Sequence, residues 1–311
     1  MVTKKEFTFL SRNGKDNCHA ISWTPKDGKI KAVFQIIHGM REHIDRYDDF
    51  ATFLANNGIL VVGSDHLGHG KTAPTEKDFG YFGEGDIPTI LVRDAHRLKK
   101  IIQEQNPGIP YFILGHSMGS FVLRKYLSLY RKGIDGAILI GTGSSPGFIT
   151  RFGIILSSIL NVFQGARHKS NLLEKIAFGS YNKKIPTVVT SSDWLTEDSE
   201  AIKTYRQDPY CGFIFTVNGF NGLFKLYNYV CKPKYLTGIK KDIPILIMSG
   251  KQDPVGDYGK GPTKVYEQYK KANMTDVELI LHDDMRHEVL FSCRKQDVYD
   301  YMLNWVITHT K

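Results

Sequence analysis

The sequence predicts an α/β protein with a mostly parallel central sheet that is covered by helices. Short apolar segments such as KAVFQIIHG, ILVVGSD, PYFILG and IDGAILIG alternate with longer segments of helical periodicity. These strand candidates are apolar on both faces, which is typical of parallel strands that lie between layers of helices. The chain has 311 residues, of which 41% are hydrophobic and 23% are charged, so it is large and apolar enough to bury such a core.

Local signals justify the individual elements in chain order. A hairpin opens the sequence, with strand candidates EFTFL and CHAISWTP on either side of an Asn-Gly turn. The first two parallel strands are followed by the helix candidates RYDDFATFLANNG, which ends at Gly58, and PTILVRDAHRLKKIIQEQNPG, which starts with proline and stops at Pro-Gly. Strand PYFILG leads into the helix candidate SMGSFVLRKYLSLYRKG. The alternation returns near the C-terminus in IPILIMSG, PTKVYEQYKKAN, VELILHDD and KQDVYDYMLNWVITHT.

The alternation is interrupted between residues 144 and 236. RFGIILSSILNVFQ, NLLEKIAFGSYN, SEAIKTYRQD and FIFTVNGFNGLFKLYNYV have mostly helical patterns, without a clear buried strand between them. Strands and helices alternate again afterwards, so the segment interrupts one sheet domain and does not follow it. The sequence therefore predicts a core of residues 1–143 and 237–311 and an inserted helical cap of residues 144–236.

The charge and the cysteine content limit the cellular compartments and the binding partners that we expect. The formal net charge of +9 comes from scattered lysines, so we expect a solvated surface and no nucleic-acid partner, with proximity to an anionic lipid surface as the functional alternative. The cysteines are expected to be reduced and structural, because no metal spacing relates Cys18, Cys211, Cys231 and Cys293. The sequence shows no signal-peptide pattern and no run approaching the ~20 apolar residues of a membrane span, which predicts a soluble cytoplasmic protein. Its oligomeric state stays open.

The motif Gly115-His116-Ser117-Met118-Gly119 carries the first chemical signal. It fits G-x-S-x-G, in which a sharp strand-to-helix turn lifts the serine hydroxyl clear of the sheet and glycines avoid collisions with neighbouring backbone. The bare pattern is weak. However, PYFIL before it and FVLRKYLSLY after it supply the required strand and helix. We therefore predict that Ser117 is a nucleophile and that the turn is the device that exposes it.

A nucleophilic serine needs a histidine to accept its proton and a carboxylate to orient that histidine. In this architecture the chain order is serine, acid, histidine, with the last two on loops after late strands. Asp253 follows the strand candidate IPILIMSG, and His287 follows VELILHDD, so both satisfy the order and the loop positions. We predict Asp253 as the acid and His287 as the base.

Other residues compete for these roles. His66 and His69 follow an early strand, but they precede the serine and would break the expected order. Asp257 lies farther from the strand end than Asp253, and Asp283 and Asp284 are expected to be solvated or to lie at a helix entry.

Acyl transfer also requires two backbone N–H donors for the oxyanion. One should be the amide of Met118, directly after the nucleophile. The second should come from the loop that His38-Gly39 opens after an early strand, which makes the Met40 amide the candidate.

Five motifs extend the pattern over nearly the whole chain outside the insertion: HGMREHIDRY, SDHLGHGKT, GHSMGS, SGKQDPVG and DMRHEVL. In this order the sequence resembles the monoacylglycerol lipase and lysophospholipase branch of the α/β-hydrolases, which is grouped with the serine aminopeptidase-like hydrolases. The resemblance implies an α/β-hydrolase fold with a helical cap over the pocket, the triad and the oxyanion amides named above, and no metal or organic cofactor. Ser120 and Thr72 depart from the family pattern, where glycine and serine are frequent, but neither change touches the predicted triad.

The expected function is hydrolysis of monoacylglycerol or lysophospholipid esters through an acyl-enzyme. The cap could bury an acyl chain and contact a membrane transiently, which would give a peripheral location, or its aromatic residues could simply hold the lobe together. Those residues are Phe148, Phe152, Phe163, Phe178, Trp194, Phe213, Phe215, Phe220 and Phe224. The alternatives are a general small-ester carboxylesterase, a non-catalytic binding module, and a peptidase or iminopeptidase. A peptidase could bind a substrate ammonium through the cap carboxylates Asp193, Glu197, Asp198 and Glu200.

Overall fold

The computed structural model describes residues 2–144 and 147–310 and has the predicted α/β architecture. One sheet has the order β1-β2-β4-β3-β5-β6-β7-β8. The strands are β1 Thr3–Leu10, β2 Asn17–Thr24, β3 Ala32–Ile37, β4 Ile59–Ser64, β5 Tyr111–His116, β6 Gly136–Ile140, β7 Ile245–Gly250 and β8 Val277–His282. The helices are α1 Asp48–Asn56, α2 Ile87–Gln105, α3 Met118–Leu129, α4 Gly147–Gln164, α5 Asn171–Phe178, α6 Ser199–Gln207, α7 Val217–Val230, α8 Lys260–Lys271 and α9 Lys295–Thr308.

The sheet is parallel from β4 to β8 and antiparallel only at the N-terminal hairpin, where β1 pairs with β2 and β2 with β4. It separates two hydrophobic clusters. On β3, Val33 and Ile37 pack into one cluster, whereas Phe34 and Ile36 pack into the other. Because alternate side chains point to opposite faces of a strand, this explains why the parallel strands are apolar throughout.

The register of the sheet brings the functional loops to one edge. Ile37 at the end of β3 pairs with Gly115 of β5, which pairs with Leu139 of β6. Farther along the sheet, Gly250 of β7 pairs with His282 of β8. The carboxyl ends of parallel strands meet at the same edge, so the loops after β3, β5, β6, β7 and β8 all emerge there.

The segment between β6 and β7 contains α4 to α7 and lies over this edge. The predicted helix FIFTVNGFNGLFKLYNYV begins four residues later than the pattern indicated, at Val217. Thr216 is the reason, because its hydroxyl accepts a hydrogen bond from the Gly219 amide (3.1 Å) and donates one to the Gly80 carbonyl (2.8 Å). The helical prediction for residues 213–216 is therefore wrong. Residues 145 and 146 of the cap lie outside the described residues.

Helix α4 bears on the expectation that no segment approaches the length of a membrane span. Within the described parts of the chain it is the one helix that is long and apolar enough to cross a membrane, judged by length and composition alone. Here it packs against α7. A Cβ atom at Gly153 would lie 2.9 Å from the Phe224 ring, and Thr150 donates a hydrogen bond to the Asn228 side chain (3.0 Å). The opposite face of α4 is exposed.

Arg124 of α3 makes hydrogen bonds that connect both ends of the cap to the sheet domain. This fully buried guanidinium donates hydrogen bonds to the carbonyl of Gly143, just before the cap (2.8 Å), and to that of Val230, at the end of α7 (2.6 Å). A third bond reaches the hydroxyl of Tyr235 (3.2 Å). Buried carbonyl groups are costly to leave unpaired, so this one side chain stabilises the junction between cap and core.

We expect Arg124→Met to lower the free energy of unfolding by about 3 kcal/mol, because it leaves two buried carbonyl oxygens without donors. Chemical denaturation measures the change. The control is Arg93→Met at an exposed position of α2, which should change stability by less than about 0.5 kcal/mol. Equal losses in the two variants would contradict this role of Arg124.

Candidate active site

Ser117 lies at the turn between β5 and α3, where the sequence predicted the nucleophile. Its backbone has φ 52° and ψ −119°, a conformation that side chains rarely adopt. The turn is held by the Ser117 amide, which donates to the Ile140 carbonyl (2.9 Å). A Cβ atom at Gly119 would overlap the Ile37 carbonyl oxygen, and one at Gly115 would overlap the Gly119 carbonyl. Both glycines of the motif are therefore required by close backbone contacts.

Asp253 and His287 meet beside this turn. The Nδ1 atom of His287 lies 3.0 Å from Oδ1 of Asp253, and both side chains are buried. The distance is that of an ion pair, although the imidazole is turned so that Nδ1 lacks a well-directed hydrogen bond. The carboxylate is itself fixed, because it accepts hydrogen bonds from the Val255 amide (2.8 Å) and the Ser249 hydroxyl (3.3 Å).

Two opposing effects set the pKa of His287. Burial disfavours the charged imidazolium and lowers the pKa, while the negative charge of Asp253 and its contact with Nδ1 raise it. The attraction prevails, so the pKa of His287 lies above its ordinary value. The arrangement therefore favours a histidine that can hold a proton when one is delivered to it.

The two predicted oxyanion donors lie on either side of Ser117. Met118 is the first residue of α3, where backbone amides have no acceptor within the helix. Met40 follows Gly39, and a Cβ atom at Gly39 would lie 3.1 Å from Cβ of Ser117, so this loop passes directly against the nucleophile. The structure thus brings all five predicted site residues together.

A cavity of about 400 Å³ connects these residues to the cap. Met40, Ser117, Met118 and His287 line it from the sheet domain. The cap contributes mostly apolar side chains from α4, α5, α7 and the segment before α6, namely Ile149, Phe152, Ile176, Phe178, Trp194, Leu195, Leu223, Phe224 and Tyr227. The cavity is therefore apolar over most of its surface.

The cap aromatics divide into groups with different roles. Those that line the cavity are Phe152, Phe178, Trp194 and Phe224. Phe215 and Phe220 are fully buried and hold the lobe together, and Phe213 stacks on Phe79 with a centroid distance of 4.9 Å. Phe148 and Phe163 are exposed. Some cap aromatics thus border the cavity and others hold the lobe together, while the burial of an acyl chain stays a prediction.

The competing histidines lie next to the segment of His38, Gly39 and Met40, which carries one predicted oxyanion donor and is called the oxyanion loop below. His66 approaches the His38 carbonyl (3.1 Å), and His69 packs among phenylalanine rings, including Phe82 at 5.4 Å between centroids. Burial lowers the pKa of His66 to about 4 and that of His69 to about 3. Both are therefore neutral, and neither belongs to the described lining of the cavity.

The competing carboxylates have other partners. Asp257 lines the cavity, but its largely exposed side chain faces Lys260, and Asp283 pairs with Lys251 at the surface (2.5 Å). Asp284 is exposed.

The four cap carboxylates proposed for a peptidase are engaged elsewhere. Asp193 accepts from the Val189 amide (2.6 Å), Asp198 caps the N-terminus of α6, and Glu200 is exposed. Glu197 accepts a hydrogen bond from a serine hydroxyl outside the cap. Among the residues that the structure describes, none of these four lines the cavity.

The side chains at the two departures from the family pattern make hydrogen bonds with backbone groups. The Ser120 hydroxyl donates to the Ser117 carbonyl (2.6 Å), so it supports the turn of the nucleophile. Thr72 accepts from the His19 amide (2.8 Å) and donates to the Asp65 carbonyl (2.9 Å), which joins the loop after β4 to β2.

One group in the described ranges combines three side chains that could ligate a metal: His43, Asp208 and Cys211. The imidazole and the carboxylate are already paired at 2.8 Å. Burial raises the pKa of the Cys211 thiol, which disfavours the thiolate that a metal requires. We therefore assign no metal to this group.

Sequence reasoning missed a set of buried charged residues next to the site, Glu42, Arg46 and Glu288. Glu42 and Arg46 stand within the motif HGMREHIDRY, directly after the oxyanion loop. The available signal for this ion pair was the presence of two opposite charges four residues apart in this motif. Glu288 adjoins the predicted base, and nothing in the local pattern pairs it with Arg46.

Comparisons with known proteins agree with this geometry. The family model described as serine aminopeptidase, S33, matches residues 28–293. A monoglyceride lipase of Mus musculus is 36% identical over 257 residues, which cover 81% of this chain and 75% of the relative. A monoacylglycerol lipase of Mycolicibacterium smegmatis is 24% identical over 99% of this chain and 98% of its own. A thermostable carboxyl esterase from Bacillus coagulans, crystallised with glycerol, superposes with a TM-score of 0.90 at 28% identity over 100% of both chains.

The matched region includes the loop of Met40, the turn of Ser117 and the two loops of Asp253 and His287. The fold, the motif order and the relatives therefore point the same way. The chain is a serine ester hydrolase and belongs to the serine aminopeptidase S33 family of α/β-hydrolases, in its monoacylglycerol lipase branch.

Proposed function

We propose that the protein cleaves carboxylic esters of monoacyl lipids, either monoacylglycerols or lysophospholipids, through an acyl-enzyme intermediate. The observation that carries this proposal is the cavity, because Ser117 and His287 open into an apolar space that the cap covers. Burial of an acyl chain there contributes about 0.8 kcal/mol per CH₂ group. The names of the relatives, which include monoglyceride lipases from several organisms, support the same substrate class.

The arrangement supports the following reaction. The Ser117 hydroxyl attacks the ester carbonyl while His287 takes its proton, and Asp253 stabilises the resulting imidazolium. The amides of Met40 and Met118 donate hydrogen bonds to the oxyanion of the tetrahedral intermediate. His287 then returns the proton to the leaving alcohol, and water hydrolyses the acyl-enzyme by the same steps in reverse order.

We expect Ser117→Ala to lower kcat by at least about 10³-fold on every ester that the wild type cleaves, because it removes the hydroxyl that attacks the ester carbonyl. The measurement is a panel of esters with graded acyl length, with glycerol, phosphocholine or simple alcohol head groups, and amino-acid arylamides. Ser22→Ala, in the N-terminal hairpin, is the control and should retain wild-type activity.

The proposal predicts that monoacyl lipid esters are the best substrates and that a fluorophosphonate labels the wild type but not Ser117→Ala. A preference for arylamides would instead favour a peptidase, and a preference for short esters would favour a general carboxylesterase. Full activity of Ser117→Ala would refute the assignment of the nucleophile.

The raised pKa of His287 predicts the pH dependence of the reaction. The base must be neutral to accept the serine proton, so kcat/KM should rise with pH as His287 loses its proton. Because Asp253 holds the pKa of His287 above the ordinary value of about 6.5, the midpoint of this ascending limb should lie above that pH. A pH–rate profile measured with a soluble ester tests this, and a midpoint below 6.5 contradicts it.

We also propose that the outer face of α4 contacts a lipid surface. Phe148, Val162 and Phe163 are 73%, 79% and 82% exposed, and Phe152 and Ile155 extend the same apolar surface. A helix with such a face can lie in the membrane interface, and the net charge of +9 favours anionic lipids. The same helix lines the cavity, so a lipid substrate would have a short path from the membrane to Ser117.

Replacing Phe148 and Phe163 by serine should reduce co-sedimentation with phosphatidylcholine–phosphatidylglycerol vesicles at least about fivefold, since it removes two exposed apolar rings from the interface. Hydrolysis of a soluble short-chain ester should stay within twofold of the wild type. The control Leu10→Ser/Ile307→Ser removes two exposed apolar side chains outside the cap and should leave vesicle binding unchanged. Equal binding by the two double variants would contradict the proposed contact.

A further inference from the structure

Arg46 connects two carboxylates that lie beside the predicted active site. Its guanidinium donates to Glu42 Oε2 (2.6 Å) and makes two parallel hydrogen bonds to Glu288, at 2.8 and 2.9 Å. All three side chains are buried. Such two-pronged pairing of arginine with a carboxylate fixes orientation as well as distance.

Glu42 connects Arg46 to the oxyanion loop. Its Oε1 atom accepts a hydrogen bond from the amide of Gly39, the residue before Met40, at 2.5 Å. The same oxygen accepts from the Tyr47 hydroxyl (3.0 Å) and lies 2.9 Å from His116 Nδ1, next to Ser117. The Glu42 carboxylate therefore holds the backbone from which one predicted oxyanion donor projects.

Glu288 connects Arg46 to the loop of His287. It follows His287 directly, and its amide donates to the carbonyl of Leu195 in the cap (2.6 Å). Its carboxylate is held by Arg46, whose guanidinium also lies 4.2 Å from the centroid of the Phe291 ring. The loop of His287 is thus attached through Glu288 both to the cap and to the segment that follows β3.

The simpler interpretation is that this ion pair has only a structural role. Buried pairs, however, often contribute little net stability. Three features distinguish this one. Both carboxylates line the cavity, each end is bonded to or adjacent to a predicted catalytic loop, and the paired residues Arg46 and Glu288 are 242 positions apart in the chain. The pair therefore lies where it can act on the relative position of the two loops.

We propose that Arg46, acting through Glu42 and Glu288, is a positioning residue that fixes the Met40 amide relative to His287. The proposal rests on the proposed ester hydrolysis and adds to it the groups that set the geometry of proton transfer and of oxyanion binding. An error of about 1 Å in such a geometry can cost about 10²-fold in rate.

The test compares Arg46→Met, Arg46→Lys and Glu288→Gln in the full chain, with a p-nitrophenyl ester that the wild type cleaves. We expect kcat to fall about 100-fold in Arg46→Met and about tenfold in Glu288→Gln, with KM within threefold. Arg46→Lys keeps the charge and should recover part of the loss. An alkylboronic acid, which forms a tetrahedral adduct with the serine, should bind Arg46→Met at least tenfold more weakly.

A second readout is the pH–rate profile, which reports the charge that faces His287. The groups that face His287 are Asp253, Glu288 and Glu42, with His116 at 5.0 Å between ring centroids. Removal of the Glu288 charge withdraws one negative group that favours the imidazolium. The midpoint of the ascending limb should therefore move to lower pH in Glu288→Gln.

The matched control is Arg294→Met, which breaks a doubly hydrogen-bonded pair with Asp297 that lies exposed at the surface near the same loop. It should retain wild-type kcat and pH profile. Thermal melting verifies folding, and if Arg46→Met does not fold, the folded Glu288→Gln and Arg46→Lys decide. Wild-type kcat and pH midpoint in these two would overturn the positioning role. Failure of the proposed function is seen separately, as an inactive wild type or an active Ser117→Ala.

Discussion

The close packing of the β3 loop against the first turn of α3 is the constraint on which the site depends. Gly119 lies so near the Ile37 carbonyl that no side chain fits between them, and the Ser117 backbone takes a strained conformation between β5 and α3. The parallel pairing of β3, β5 and β6 over-determines this geometry, since the amide of Ser117 is also bonded to Ile140. The strain is thus maintained by the sheet, which fixes the turn that carries Ser117 and Met118.

The cap covers the turn of Ser117 and encloses an apolar cavity beside it. Its cavity side chains come from α4, α5 and α7, whereas its attachment depends on polar contacts such as those of Arg124 with the two ends of the segment. Apolar burial is non-directional and tolerates many acyl chains, while the hydrogen bonds at the junction fix where the lobe lies. Helix α4 both borders this cavity and carries exposed apolar side chains.

Local patterns were sufficient to predict the sheet, the turn at Ser117 and the loops of Asp253 and His287, because each depends on a few neighbouring residues and on strand order. The orientation of the cap aromatics was beyond such patterns. Phe220 and Phe224 share one helix, yet Phe220 is fully buried in the lobe and Phe224 lines the cavity, which depends on how α4 crosses α7. The start of α7 was missed because Thr216 caps it through a contact with distant Gly80. The pairing of Arg46 with Glu288 joins opposite ends of the chain and has no local signature.

The buried charges around His287 also bear on its proposed role as the base. Asp253, Glu42 and Glu288 all favour the imidazolium, and three uncompensated carboxylates would keep the histidine protonated and unable to accept the serine proton. Arg46 supplies the compensating charge. Against the effect of burial, it holds the pKa of Glu42 well below the usual range, and it binds Glu288 directly. Among the described carboxylates, Asp253 is the one that pairs with the imidazole, and it contributes most to raising the pKa of His287. The same arginine that joins the two loops thereby limits the charge that the base experiences, so position and basicity are set by a single buried group.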